Sequence, residues 1–249
     1  MKKMCLIISL VVLGIFVFTS TSFANTDVNP RSDLIDNLEW KEYQRGNIEI
    51  RSNLPSDIQP EIKSIAVDKK GNEHSVKAIV EHKVLDIRKN DDVTTYDIQT
   101  TIQSIGGPYY TDDDDEDHYN NGRINQYQIT NYSYKKDDNT YEHWYKLDNT
   151  EVYWTRTKDY YVIGDPVSIG HHSWGTDING YGMNEDYLLN PSPPSWKSET
   201  ESYTLRSDSP DSWEYCDGAS YPHVSTFVGG DVYDAYGWVY QLNTAVILN

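Results

Sequence analysis

The sequence predicts an all-β protein, an antiparallel, jelly-roll-like β-sandwich of about ten strands preceded by one short helix. Three observations carry this. Apolar and polar residues alternate with period two over most of the chain. The aromatic residues are skewed to 21 Tyr and 7 Trp against 4 Phe; Tyr and Trp favour strands, and each carries a polar group that tolerates a half-wet position. Clusters of Gly, Asn, Asp and Pro punctuate the alternating runs at short intervals.

The elements follow in chain order. Residues 1–24 read as a secretory signal peptide: a basic head at Lys2 and Lys3, an apolar core over 6–18, and a small-x-small end at Ser22-Phe23-Ala24. That core is shorter than the ~20 apolar residues of a spanning helix. The expectation is therefore an exported, extracellular chain from Asn25 to Asn249, one β domain with no stable membrane span after cleavage. Ser32 is placed to cap a helix over 33–43, with Leu34, Ile35 and Leu38 on one face and Asp33 and Asp36 in the first turn.

Strand signals begin at 62–67 and turn at Lys69-Lys70-Gly71-Asn72. The run 75–87 changes phase between Val80 and Leu85, which predicts a bulge near His82. After the turn Asn90-Asp91-Asp92, residues Tyr96, Ile98, Thr100 and Ile102 alternate with Asp97, Gln99, Thr101 and Gln103. The two runs predict a long antiparallel hairpin. A loop is expected over 105–122, then a meander of strands at 124–134, 140–147 and 151–158 with turns at 135–139 and 148–149. Residues 160–173 form another extended run broken at Gly164-Asp165-Pro166, where proline suits an edge or a bulge. Residues 175–198, rich in Gly, Asn and Pro, are expected to form a long connection. Alternation resumes at 201–206. The last strand places Tyr236, Trp238, Tyr240, Leu242, Val246 and Leu248 on one side.

Charge and cysteine narrow the partners. The formal charge is −18, which argues against nucleic acid and anionic membranes as electrostatic partners. Cys5 departs with the leader, so Cys216 stands alone and is expected to be buried rather than bridged.

Four groups of residues carry candidate chemistry. The acidic run 112–117 repels itself, and a hard cation would relieve the repulsion; in an extended loop Asp113, Asp115 and Asp117 point one way, which makes them the candidate ligands for Ca2+. The run fails the EF-hand template, and the competing reading is a solvated acidic loop. Asp177-Ile178-Asn179-Gly180 looks like an Asx-Gly turn, formed for backbone reasons as readily as for a metal. His171 and His172 are adjacent, so on a strand they face opposite ways; a hydrolytic site would draw on His171 with Asp165, Asp177 and Ser173, although no Gly-x-Ser-x-Gly or His-Glu-x-x-His motif is present. Finally, Trp174, Trp196 and Trp213, with Tyr181 and Tyr187, lie in or beside turn-rich segments. Trp174, Tyr181, Trp196 and Trp213 are the candidate ligand-binding residues, because loop aromatics on a rigid sheet can stack on the C–H face of a sugar. The competing reading is that they staple loops to the core.

The expected function is a secreted, non-catalytic binding protein whose partner is a polysaccharide, the cell wall or a protein surface. One alternative is a secreted hydrolase using a carboxylate pair or a His–Asp site. The other is a β-pore-forming toxin that inserts the hairpin 75–104, against which Lys77, Glu81, Lys83 and Asp86 interrupt the first strand.

Overall fold

The computed structural model describes residues 32–105, 124–156, 162–190, 202–219, 223–234 and 237–249. The segment 1–24 read as a leader, the acidic run with Asp113, Asp115 and Asp117, and Trp196 lie outside the described residues. The architecture is the expected one, two sheets packed face to face. Among the described residues it contains one short helix, α1 (Ser32–Asp36), and thirteen strands: β1 (Lys41–Arg45), β2 (Ile48–Ser52), β3 (Glu61–Val67), β4 (Glu73–Ser75), β5 (Ala78–Asn90), β6 (Val93–Ile105), β7 (Ile124–Asp137), β8 (His143–Arg156), β9 (Val162–Thr176), β10 (Gly182–Leu189), β11 (Ser202–Asp208), β12 (Val224–Asp234) and β13 (Gly237–Leu248). The first sheet runs β1-β2-β5-β6-β7-β8-β11 and the second β10-β9-β12-β13-β3-β4. All neighbours are antiparallel except β2 and β5, which run parallel. No helix among the described residues is long and apolar enough to cross a membrane.

Several elements differ from the sequence reading. Residues 33–43 do not form one helix: α1 is five residues long, and Lys41–Arg45 pairs with β2 instead. A helix this short is unstable alone, whereas β2 offers an unpaired edge, and the Arg51 guanidinium stacks 4.3 Å from the Trp40 ring. The expected hairpin β5–β6 forms, but its bulge falls at Leu85, between Val84 and Asp86, rather than at His82. The turn expected at 148–149 is absent. β8 runs straight through it, absorbing Asp148 as a bulge opposite Asn131 and Tyr132. The supposed connection 175–198 contains β10, an exposed edge strand on β9. β12, not foreseen at all, is the central strand between β9 and β13. Its Gly229-Gly230 pair reads as a break, yet a Cβ at Gly229 would lie 2.6 Å from the Asn243 side chain.

The interior is not uniformly apolar. Between the sheets lie two hydrophobic clusters, one around Val80, Ile98, Ile102, Tyr132 and Leu147 and one around Val152, Trp154, Ile169, Val228 and Leu242. A diagonal polar seam separates them. Trp154 Nε1 donates to Gln126 Oε1 (2.7 Å) and Gln126 Nε2 to Thr244 Oγ1 (2.6 Å). Thr244 Oγ1 donates to Gln128 Oε1 (2.5 Å), and Gln128 Nε2 to Thr130 Oγ1 (3.0 Å). Thr130 meets Thr150 at 3.4 Å, and Thr150 meets Thr226 across the sandwich at 3.0 Å. A further cross-sheet pair, Ser64 and Ser104, sits at 2.7 Å. Every residue of this seam is buried, so each hydroxyl and amide must find its partner inside the protein.

Two histidines sit along the same layer. His82 is 1% exposed and His171 fully buried. His82 Nδ1 meets Thr100 Oγ1 at 2.8 Å. Burial lowers the pKa of both rings to about 4, with Arg45 adding to the effect at His82 and His172 at His171, where Asp208 opposes it. Between pH 6.5 and 4 the unfolded chain therefore binds more protons than the folded one, and the stability present above pH 6.5 is lost as pH falls. At ~1.4 kcal/mol per pH unit, each ring accounts for at most about 3 kcal/mol. Thermal melting from pH 7 to pH 4 should show Tm falling throughout this window, and His82→Gln should reduce the slope. A Tm unchanged over the window would contradict burial of neutral rings.

Candidate functional site

One end of the sandwich gathers three segments into a cleft. The first is the tip of the β7–β8 hairpin, where Asp137 Oδ1 accepts the N–H groups of Asn139 (2.8 Å) and Thr140 (2.9 Å). The second is the β9–β10 turn, built the same way: Asp177 Oδ1 accepts from Asn179 N (2.9 Å) and Tyr181 N (2.7 Å). The third is the strap 215–219, which ties the two sheets together. Cys216 pairs with Tyr145 of β8 through N–H···O bonds of 2.7 and 2.8 Å, while Ile178 N donates to Tyr215 O (3.0 Å) and Asp217 N to Thr176 O (3.0 Å). The strap fits closely. Gly175 has φ +151°, and a Cβ there would lie 2.9 Å from Cys216 Sγ. Cys216 is free and buried, as expected, and burial pushes its thiol up, away from the reactive thiolate.

The cleft encloses about 520 Å³ and is lined by Tyr141, Glu142, His143, Trp144, Asp177 and Asp217, among others. Asp217 Oδ1 accepts from Thr176 N (2.8 Å) and Ala219 N (2.9 Å), so both aspartates are held in place by backbone donors. Tyr141 has φ +63°, a conformation costly for a residue with a side chain. The residue is nonetheless 72% exposed at the cleft, and Tyr181, next in the chain to the cleft-lining Gly180, is equally exposed. The conformation closes the hairpin tip, where Tyr141 N donates to Asp137 O (2.9 Å), and Lys136 Nζ lies 5.8 Å from the ring centroid.

The sequence-predicted residues are scattered. Tyr181 is exposed next to Gly180, which lines the cleft, but does not itself line it. Trp174 lies half-buried on the outer face of β9, with Nε1 donating to Asp186 Oδ1 (2.9 Å) and its ring edge-on to His172. Trp213 is 4% exposed, its ring set against His171, so it belongs to the core and presents no surface. His171 and His172 face opposite ways, as adjacent strand residues must. His171 Nδ1 meets Ser209 Oγ at 2.9 Å, while Ser173 is buried elsewhere on β9 and Asp177 is engaged in its turn. A ring held near pKa 4 is a poor general base at neutral pH. Among the described residues no group of three or more His, Cys, Asp or Glu side chains is placed to hold a metal ion. The sequence reading missed Tyr141, Trp144 and Asp217 as a group. The available signal was the Asx turn at Asp137, which fixes where the hairpin tip reverses and hence which residue stands exposed on it.

A second cluster lies on the outer face of the first sheet. Ser133 Oγ donates toward Asp97 Oδ1 (3.0 Å) and lies 3.5 Å from Asp148 Oδ2. Arg88 pairs with Asp97 at 2.5 Å. Although Asp148 is an exposed residue, enclosure of its carboxyl, together with the Asp97 charge, raises its pKa. The β8 bulge is what turns Asp148 toward this face. Arg88, with Thr95, Lys135 and Tyr215, lines an adjoining hollow of about 610 Å³.

Aromatic truncation separates the two environments. Trp213→Ala should cost about 3–5 kcal/mol, as for a buried Trp, whereas Tyr181→Ala should change stability by less than ~0.5 kcal/mol. Chemical denaturation of the two variants checks this; equal costs would contradict the assignment of Trp213 to the core and Tyr181 to the surface. Comparison of the chain with protein-family models, with curated proteins and with solved structures returns no match.

Proposed function

We propose that this is an exported glycan-binding protein whose ligand, a cell-wall or other polysaccharide, lies in the end cleft. The carrying observation is the exposed, strained Tyr141 standing at a cleft that also holds Trp144 and the fixed carboxylates of Asp177 and Asp217. Sugars present an apolar C–H face, which stacks on an aromatic ring, and equatorial hydroxyls, which donate to carboxylates. A mostly preformed concavity with few, positioned polar groups is the usual form of such a site. The leader at residues 1–24 supports export, and the acidity of the chain supports an uncharged or cationic partner over nucleic acid.

A second reading is favoured by one observation. Asp97 and Asp148 converge on the single hydroxyl of Ser133, one carboxyl held beside Arg88 and the other pushed up by enclosure and its neighbour's charge. Two neighbouring carboxyls, one of them raised, are the equipment of glycoside hydrolysis. On this reading Asp148 is the acid and Asp97 the second carboxyl.

Retention of the purified chain on insoluble peptidoglycan and on other insoluble polysaccharides tests the first reading. Tyr141→Ala and Trp144→Ala should each reduce retention by about tenfold or more, the usual weight of an aromatic anchor, with Tm within a few degrees of the unaltered chain. Unchanged retention in both variants, or no retention by the unaltered chain, would refute it. Release of reducing sugar that disappears in Asp148→Asn while retention persists would establish the second.

A further inference from the structure

Among the described residues, two buried side-chain atoms on the inner face of the sandwich lack a hydrogen-bond partner, His171 Nε2 and Ser207 Oγ. They belong to different sheets, yet the pairing brings them together. Ser207 is the cross-strand neighbour of Thr150, and His171 that of Thr226. Thr150 and Thr226 are themselves bonded across the sandwich at 3.0 Å. In the first sheet β11 lies beyond β8, and in the second β9 lies beyond β12, so both unpaired atoms lie on the same side of that bond. Ser209, two residues past Ser207 on the same side of the chain, meets His171 Nδ1 at 2.9 Å. The imidazole therefore stands in front of the 207–209 segment. The rings of Trp213 and Tyr187 flank it, at centroid distances of 6.5 and 6.2 Å.

Buried polar atoms in folded proteins are satisfied by protein or by ordered water. Two unsatisfied buried atoms on adjoining strands of the two sheets, beyond the same Thr150–Thr226 bond, are what a single bridging water would satisfy. We propose that a water molecule is bound in the interior between His171 Nε2 and Ser207 Oγ, joining β9 to β11. Water suits this place because it both donates and accepts. The imidazole is neutral at neutral pH, so one nitrogen carries hydrogen and the other a lone pair. Whichever tautomer Ser209 selects at Nδ1, water supplies the complementary partner at Nε2, and the Ser207 hydroxyl rotates to match. The ligand class is thus a water-sized neutral donor–acceptor. The bound water extends the seam by one step beyond Thr150 and Thr226, to the outermost part of the interface between the sheets.

A high-resolution crystal structure of the full chain, with water-to-imidazole NOE measurements in solution, tests this. The expected result is an ordered water within ~3.2 Å of both atoms and a long-lived water signal at the His171 ring. Melting of variants gives a second readout. Ser207→Ala and His171→Leu each leave one atom without its water-mediated partner and should each lower Tm by about 2–8 °C, while the double variant should fall no further than the worse single one. Absence of density and of the NOE overturns the proposal, as does a direct bond between His171 Nε2 and Ser207 Oγ. Strict additivity of the two substitutions also counts against it. The unaltered chain decides the matter even if a variant fails to fold.

Discussion

Thr244 governs how the two sheets meet. Its single hydroxyl accepts from Gln126 and donates to Gln128, two residues apart on the facing strand, so β13 and β7 can satisfy both glutamines at one register only. From there the chain of bonds continues through Thr130 and Thr150 to Thr226, returning to the second sheet. Apolar packing between two sheets is non-directional and tolerates small slides. Buried amides and hydroxyls do not, because each one left unbonded costs about 1–3 kcal/mol. A slip of one residue would turn Gln126 and Gln128 to solvent and bring Tyr127 and Ile129 inward; a slip of two would leave Thr244 facing the wrong groups. The two hydrophobic clusters supply the adhesion between the sheets, and the seam selects their relative position.

That fixed position is what gives the end cleft its shape. The cleft draws its walls from β7–β8 in one sheet and β9–β10 in the other, so its width depends on how the sheets are set. The strap 215–219 closes the arrangement, pairing with Tyr145 on one side and with Thr176 and Ile178 on the other. Cys216 contributes here as a small buried side chain at the point where the two sheets converge. The exposed Tyr141, which lines the cleft, and the exposed Tyr181 of the neighbouring turn lie on turns whose backbone is held by Asp137 and Asp177. A rigid scaffold with aromatic side chains at fixed turn positions presents them with little ordering cost on binding.

The strands were legible where inside and outside differ in polarity. Tyr96, Ile98, Thr100 and Ile102 against Asp97 and Gln99 declare both the strand and its buried face, and Leu242, Val246 and Leu248 do the same for β13. The seam defeats this signal. In β7 the buried positions are Gln126, Gln128 and Thr130 and the outward ones Tyr127 and Ile129, so the pattern is visible but its phase points the wrong way. β12 was illegible for a related reason, since its inner face includes Thr226 and Gly230 and its centre is a glycine pair. Asp148-Asn149 resembled a turn because nothing in one strand announces that its partner will accommodate a bulge. The cleft was least legible of all. Tyr141, Asp177 and Asp217 are far apart in the chain and converge only through the pairing of Cys216 with both sheets, while Trp213, conspicuous among turn residues, packs inward against His171.

The seam is most directly tested by a double-mutant cycle across the sandwich at Thr150 and Thr226, whose hydroxyls lie 3.0 Å apart in opposite sheets. Thr→Val keeps volume while removing the hydroxyl. If the seam fixes the sheets, Thr150→Val and Thr226→Val should each destabilise by about 1–3 kcal/mol, and the double variant should cost less than their sum by about 0.5–1.5 kcal/mol, because each single change strands the other's partner. A coupling energy of zero, with both singles near neutral, would mean that the sheets are held by apolar packing alone and would contradict the account.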